Sequence, residues 1–266
     1  MKKIILLCVG LLAIDMQANE KTVSYHEIDV HSYYKPNPQE MLILLRSIIG
    51  SNDLVFDVGA NIGSKTETYL KCGARVVCFE PQPECIKSLQ KKFCTAENVM
   101  IEQVGLAEQT GNLNLHLCES ANTLATFSQD WTEKGRFADR DYHWSNSITV
   151  PVSTLDHMIA KYGKPRFCKI DVENFEYNVL RGLTQPIEYL SFECHAECLD
   201  QATLCVNYLE KIGYTEFNFA PGEHGWFIFK KWLPAQEFLV ELTKVMQDPF
   251  WKPMWGLFGD AYARHE

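Results

Sequence analysis

The chain contains no run of about 18 consecutive apolar residues, the length a membrane-spanning helix requires. Positive charge is scarce as well: 25 lysines and arginines stand against 34 aspartates and glutamates, a formal net charge of −9. The adjacent bases, Lys2–Lys3, Lys91–Lys92 and Lys230–Lys231, are short clusters. Domains that grip nucleic-acid phosphates rely on extended basic patches, so a nucleic-acid partner is not expected. Internal repeats and low-complexity tracts are missing too, which leaves one domain with appended caps as the simplest organisation. The ten cysteines do not form a recognisable disulfide framework. Cys78, Cys168 and Cys194 fall inside apparent core strands, where a thiol acts as a small hydrophobe. Cys194-His195-x-x-Cys198 lacks a second ligand pair at a zinc spacing. Reduced thiols, and a cytoplasmic location, are the expectation.

Residues 1–18 point the other way. Lys2 and Lys3 precede an apolar run, Ile4 to Ile14, and a small residue, Ala18, in the pattern of a secretory signal. Asp15 and Met16 fit that pattern poorly, and removal of the segment leaves nine cysteines, an odd number. Export is therefore the alternative location, and a non-catalytic exported recognition domain the alternative role.

From residue 53 onward short apolar runs alternate with helical segments. Asp53–Val58, Ala74–Phe79, Val99–Val104, Arg166–Asp171 and Tyr189–Cys194 read as strands. Asn61–Lys71, Pro83–Phe93, Phe175–Gly182 and Cys198–Ile212 read as helices. That alternation predicts an α/β fold, a doubly wound parallel sheet covered on both faces. Tyr214–Phe219, the turn-forming Pro221-Gly222-Glu223-His224-Gly225, and Trp226–Phe229 predict an antiparallel C-terminal hairpin, seven strands in all. The expected division is an N-terminal cap over 19–50, a domain over 51–230 with an insert at 119–147, and a helical, aromatic extension over 231–266. Within the domain a second hairpin, Leu113–Leu117 against Ile148–Val152, flanks the insert.

The first strand ends in Asp57-Val58-Gly59-Ala60-Asn61-Ile62-Gly63. Its glycines let a ligand approach the backbone, and its acid lies within reach of an amine or sulfonium. Twenty-three residues later Glu80-Pro81 ends the second strand, where a carboxylate accepts hydrogen bonds from ribose hydroxyls. Together these predict a nucleoside cofactor. A dinucleotide fingerprint wants a second glycine where Asn61 stands, and the preceding acid suits a cationic ligand better than a diphosphate. Both features favour S-adenosylmethionine over NAD(P), and an oxidoreductase on a Rossmann-like sheet is the competing reading.

Four segments, VFDVGANIGSKTETYL, CFEPQPECIKSL, VPVSTLDHMI and FCKIDVENFEYNVLRGL, together resemble the FkbM-type methyltransferases. The likeness runs from about residue 52 to 195 and includes the closing Gly259-Asp260-Ala261-Tyr262-Ala263. The family's K-I-D-V-E-G reads Lys169-Ile170-Asp171-Val172-Glu173-Asn174 here, with Asn174 in place of the glycine. The resemblance implies a class I methyltransferase fold and, for many members, methylation of hydroxyl oxygens. It implies that Asp57, Gly59, Asn61, Gly63 and Glu80 bind the cofactor and that Gly105–Leu106 flank the adenine.

A hydroxyl acceptor needs a base. Asp171, Glu173 and His195, at the ends of the fourth and fifth predicted strands, are the candidates. Asp171 and Glu173 point the same way if the chain stays extended, a paired-carboxylate site with or without a divalent metal. The competing reading makes Glu173 a helix cap. Glu193 shares a strand face with His195 if the strand continues that far. The insert, with Trp131, Phe137, Tyr142 and Trp144, reads as a substrate lid or as core. The expected substrate is a small molecule or a glycan-like one.

Overall fold

The computed structural model describes residues 37–138, 140, 142–250 and 256–265. The signal-like residues 1–18, most of the proposed 19–50 cap, Asp139 and Asp141 of the insert, and Trp251 and Trp255 of the tail lie outside them. An N-terminal helix, α1 (Pro38–Arg46), leads into β1 (Leu54–Val58), α2 (Ser64–Lys71), β2 (Arg75–Phe79), α3 (Pro83–Lys92) and β3 (Val99–Glu102). Then come β4 (Gly105–Leu106), β5 (Gly111–Leu117), α4 (Gln129–Lys134), β6 (Asn146–Ser153) and α5 (Leu155–Tyr162). The chain returns to the main sheet with β7 (Phe167–Ile170), α6 (Glu176–Leu180), β8 (Tyr189–His195), α7 (Leu199–Lys211), β9 (Glu216–Pro221), α8 (Ala235–Gln247) and β10 (Phe258–Arg264).

Seven strands form one sheet in the order β3-β2-β1-β7-β8-β10-β9. The first five run parallel to their neighbours, and β10 lies antiparallel to both β8 and β9. The doubly wound α/β architecture expected from the sequence is therefore present. The identity of the last antiparallel strand differs from expectation. Trp226–Phe229 is not a strand; it runs beside β9 with Ile228 N–H donating to Phe219 C=O at 2.8 Å. Its place is taken by Phe258–Arg264, which fills the gap between β8 and β9. Of the expected 231–266 extension, Ala235–Gln247 is helical as read, and Phe258–Arg264 is a strand of the sheet. Only long-range pairing, which leaves no local pattern, decides which stretch becomes the antiparallel strand. The second hairpin forms as expected: Leu113 faces Val150 and Leu115 faces Ile148, and β4 joins β6 to complete a three-stranded sheet.

Strand alternation divides the core. Leu54, Phe56 and Val58 of β1 pack on one face with Val77, Phe79, Ile170 and Phe192, covered by α7 and α8. Val55, Val76, Cys78 and Phe167 face the other way, under α1 and α2. Met41, Leu44 and Leu45 supply the buried stripe of α1, and Gly225 lets that helix dock: a Cβ there would lie 1.9 Å from Met41 N. The α1 face also carries a buried polar seam. Asp57 stands opposite Lys169, Lys169 opposite Ser191, and Glu193 opposite Asp260. The Lys169 side chain reaches across β8 to donate to Asp260 Oδ1 at 2.7 Å and lies 3.3 Å from Asp171 Oδ2. Lys169 is 3% exposed, so its charge depends on those carboxylates for solvation.

Removing one partner of a buried pair typically costs 3–5 kcal/mol. Because Asp171 remains, Asp260→Ala is expected to lower stability by about 3 kcal/mol, read by urea denaturation. A loss under about 1 kcal/mol would show that the strand pairing, not the ion pair, secures β10.

Candidate functional site

Strand order reverses between β1 and β7, and ligands of open α/β sheets bind outside the strand ends at that point. There the chain leaves β1 through Gly59, whose φ of 82° is left-handed and whose Cβ would lie 1.8 Å from Asp171 C=O. Only glycine permits the two strand ends to sit this close. Gly59 and Ala60 both donate their N–H to Phe79 C=O, at 3.0 and 3.2 Å, locking the turn onto the end of β2. Asn61, at φ 48°, donates its N–H to Glu80 Oε2 at 2.9 Å and its side-chain amide to Asn122 C=O at 3.2 Å. Gln82 N–H donates to the other oxygen of Glu80 at 2.8 Å. Each Glu80 oxygen thus holds one backbone donor and keeps a lone pair for a ligand. Burial pushes the Glu80 carboxyl up to about 7, against the pull of those two N–H groups.

A half-open cavity of about 210 Å3 lies between these turns. Of the sequence-predicted cofactor residues, Gly59, Asn61, Glu80, Pro81, Gly105 and Leu106 line it. Phe79, Leu115 and Phe127 add apolar wall beside Gly105, where a Cβ would meet the Phe127 ring at 2.7 Å. Three predicted residues do not reach the cavity wall. Ala60 is buried in the turn, and Gly63 caps α2 at φ 79° against Phe93. Asp57 lies beneath the cavity floor, its Oδ2 accepting a 2.5 Å hydrogen bond from Thr66 Oγ1. The expected reach of Asp57 to a cofactor amine or sulfonium is therefore corrected. Its carboxyl, raised by burial to about 6, ties α2 to β1 and shapes the field from below.

Acids gather at the opposite end. Asp171, Glu173 and Glu193 all line the cavity. Asp171 and Glu173 do not form the extended pair expected. The chain turns after Asp171 with Glu173 at φ 56° and Asn174 at φ 67°, so Asn174 does adopt the left-handed backbone glycine would supply. Glu176 closes this turn by accepting from Val172 N–H at 3.0 Å, and Thr126 Oγ1 donates to Glu173 C=O at 2.6 Å. Glu173 is not the helix cap either, because the N-cap of α6 is Phe175 and no side chain caps that helix. The Glu173 side chain instead joins Glu193 and His195, their ligand-type atoms all within 4.8 Å of one another.

His195 Nε2 lies 3.1 Å from Glu193 Oε2, so alternation along β8 places both on one face, as the spacing suggested. His195 itself is not in the cavity wall. Its ring packs against Trp131 at 4.7 Å and Phe258 at 6.2 Å between centroids. In this structure His195 contacts Glu193 and does not itself line the cavity. Trp131, buried, makes the centre of the insert core and not an exposed lid, and Arg136 fastens the insert by a bidentate pair with Glu197.

The carboxyls are tuned apart. Burial raises Asp171, but Lys169 and Lys65 outweigh it and hold this carboxyl below its ordinary value. Burial, then the charges of Glu193, Asp171 and Glu176, hold Glu173 well above its ordinary value. Burial and Asp171 also raise Glu193, partly offset by His195. For His195 burial acts downward, yet the Glu193 carboxylate wins and the imidazole is raised. The sequence reading missed Lys169 and Asp260; the signal available was a lysine inside an otherwise apolar strand, Phe167–Ile170, which must find buried anions.

The methyltransferase FkbM domain profile matches residues 57–233. The hexuronic acid methyltransferase AglP of Haloferax volcanii is 26% identical over 164 residues, covering 59% of this chain and 62% of that protein. The chain thus spans about three fifths of the length of this curated relative. An rRNA methylase from Streptococcus thermophilus overlaps 86% of this chain and 98% of its own at 11% identity, with a TM-score of 0.44. A TehB-like methyltransferase from Corynebacterium glutamicum overlaps 85% and 88% at 11% identity, with a TM-score of 0.40. By the extent of its match, the chain belongs to the FkbM methyltransferases, a family whose methyl donor is S-adenosylmethionine.

Proposed function

We propose that this chain transfers a methyl group from S-adenosylmethionine to a hydroxyl oxygen of a glycan-like substrate. The observation that carries the reading is one cavity with a nucleoside-type acid, Glu80, at one end and Asp171, Glu173 and Glu193 at the other. Its residues fit the donor. Glu80 keeps lone pairs for two ribose hydroxyls, Gly105 and Phe127 offer a flat apolar slot for adenine, and the Gly59 turn leaves backbone room for the rest. The bound donor supplies an activated methyl group on sulfonium. The relative's name, a hexuronic acid methyltransferase, supports the glycan-like class.

The acceptor end favours a hydroxyl over a carboxylate oxygen. The ionised Asp171 at that end repels an incoming carboxylate, which would need no base, whereas a hydroxyl needs one. Asp171, kept ionised by Lys169, is the cavity-facing group ready to take the proton. Glu193, whose carboxyl holds protons more tightly, stands beside it to share the charge. Because the donor is made inside cells, this reading places the working enzyme on the cytoplasmic side, and the signal-like residues 1–18 are the feature against it.

The decisive assay offers labelled donor with a panel of neutral sugars, amino sugars and uronic acids. An alkali-stable ether product supports the proposal, and an alkali-labile ester or no product on any sugar overturns it. Asp171→Asn is expected to lower kcat by about 10²–10⁴ while S-adenosylhomocysteine binds as before; a loss under tenfold would remove Asp171 from the chemistry. Glu80 gives a separate, pH-dependent readout. Its raised carboxyl means the fold favours the protonated form, a stabilisation present below about 4.5 and lost as pH rises through about 7. Ribose hydroxyls bind the ionised form, so S-adenosylhomocysteine affinity should rise about tenfold from pH 6 to pH 8. Calorimetry on Glu80→Gln should find weaker binding and a flat profile; a slope retained in that variant assigns the titration elsewhere.

A further inference from the structure

Three donor atoms from distant parts of the chain meet at the acceptor end: a carboxylate oxygen of Glu173, one of Glu193 and an imidazole nitrogen of His195, all within 4.8 Å of one another. One further fact makes this more than a crowd of acids. Glu173 Oε2 is shut off from solvent and makes no hydrogen bond of ordinary length, the buried Trp131 indole being a polar neighbour outside the cluster, a costly state for a carboxylate oxygen. His195, on a ring 5% exposed, turns its Nε2 toward Glu193 Oε2 and so into the cluster. The nearest cations are committed elsewhere: Lys169 to Asp171 and Asp260, and Arg136 to Glu197. Among the described residues Glu173 therefore has no ion-pair partner.

We propose that Glu173, Glu193 and His195 bind a divalent cation of the Mg2+/Mn2+ class, which holds the methyl acceptor. The spacing suits such an ion. Donors about 2.1 Å from a cation and at right angles to each other lie about 3.0 Å apart, and opposite donors about 4.2 Å. Glu193 Oε2 and His195 Nε2 are already 3.1 Å apart, and the outer limit of 4.8 Å closes with a shift of a few tenths of an ångström. Two carboxylates admit magnesium or manganese and the imidazole favours manganese of the two, although zinc or iron binds such a set more tightly in isolation. The cation sits between Glu193 Oε2 and His195 Nε2, which now contact each other directly. Glu193 and Glu173 open onto the cavity, so the ion's remaining positions face it, where acceptor oxygens enter. A coordinated hydroxyl loses its proton more easily, and Asp171, outside the ligand set, remains to take it. The ion also lets an acidic pocket accept an anionic sugar, since a uronate carboxylate can bridge to it. This last point rests on the methyltransferase reading; the ion site itself does not.

The test uses Mn2+ alone as probe on the full chain, read by the electron-paramagnetic-resonance signal of the free ion, with and without S-adenosylhomocysteine. One saturable Mn2+ per chain is expected, weakened at least about tenfold in Glu173→Gln and in His195→Gln. Glu80→Gln should weaken S-adenosylhomocysteine and leave Mn2+ affinity within about twofold. Thermal unfolding, raised by Mn2+ in the parent and not in folded Glu173→Gln, gives a second readout; if that variant does not fold, Glu193→Gln replaces it. Absence of saturable binding, or binding unchanged by these substitutions, overturns the proposal. Failure of Mn2+ with intact S-adenosylhomocysteine binding sinks the ion site alone, and the reverse result sinks the methyltransferase reading alone.

Discussion

A single buried ammonium holds this structure in register. Lys169 stands in β7, spans β8 and ends on Asp260 of β10, with Asp171 as its second anion. An amine in that position cannot be solvated by water, so strands that share no backbone hydrogen bonds are constrained to one arrangement. The same charge keeps Asp171 ionised at the cavity wall while its neighbours are pushed toward their protonated forms. Sheet closure and acid–base differentiation therefore share one cause.

From that constraint the division of the cavity follows. The β1 and β2 ends offer backbone donors, glycine turns and one acid whose oxygens are half satisfied. The β7 and β8 ends offer a surplus of carboxylates with few donors to match. The first arrangement suits a neutral, hydroxyl-bearing nucleoside; the second suits whatever arrives carrying a proton to lose or a positive charge to share. That asymmetry distinguishes a group-transfer site from a plain binding pocket, where both ends are satisfied by the same ligand.

The parts of this site legible in the sequence were those fixed by short-range chemistry. Glycine at the left-handed turn after β1 and a glutamate ending β2 are local signals, and both stand in the cavity wall. Asp57 shares a sheet face with Lys169, and what keeps it from the cavity is its hydrogen bond to Thr66 of α2, a contact that its nearness to the glycines in the sequence does not show. Glu173 could not be aimed from sequence, since two successive left-handed residues reverse its direction and Asn174 conceals that turn. The greatest error concerned the antiparallel strand. Trp226–Phe229 looks extended, but Phe258–Arg264 has two neighbours to pair with, and pairing across a whole helix leaves no local mark.

The position of β10 also carries a consequence for biosynthesis. It is translated after every element it touches, yet it belongs between two strands made earlier. While a nascent chain lacks it, β8 and β9 present open edges toward each other, and the ammonium in β7 lacks one of its anions. Completion of the sheet is thereby deferred until translation has passed Arg264, and a chain lacking that strand carries unpaired edges of the kind prone to mispairing.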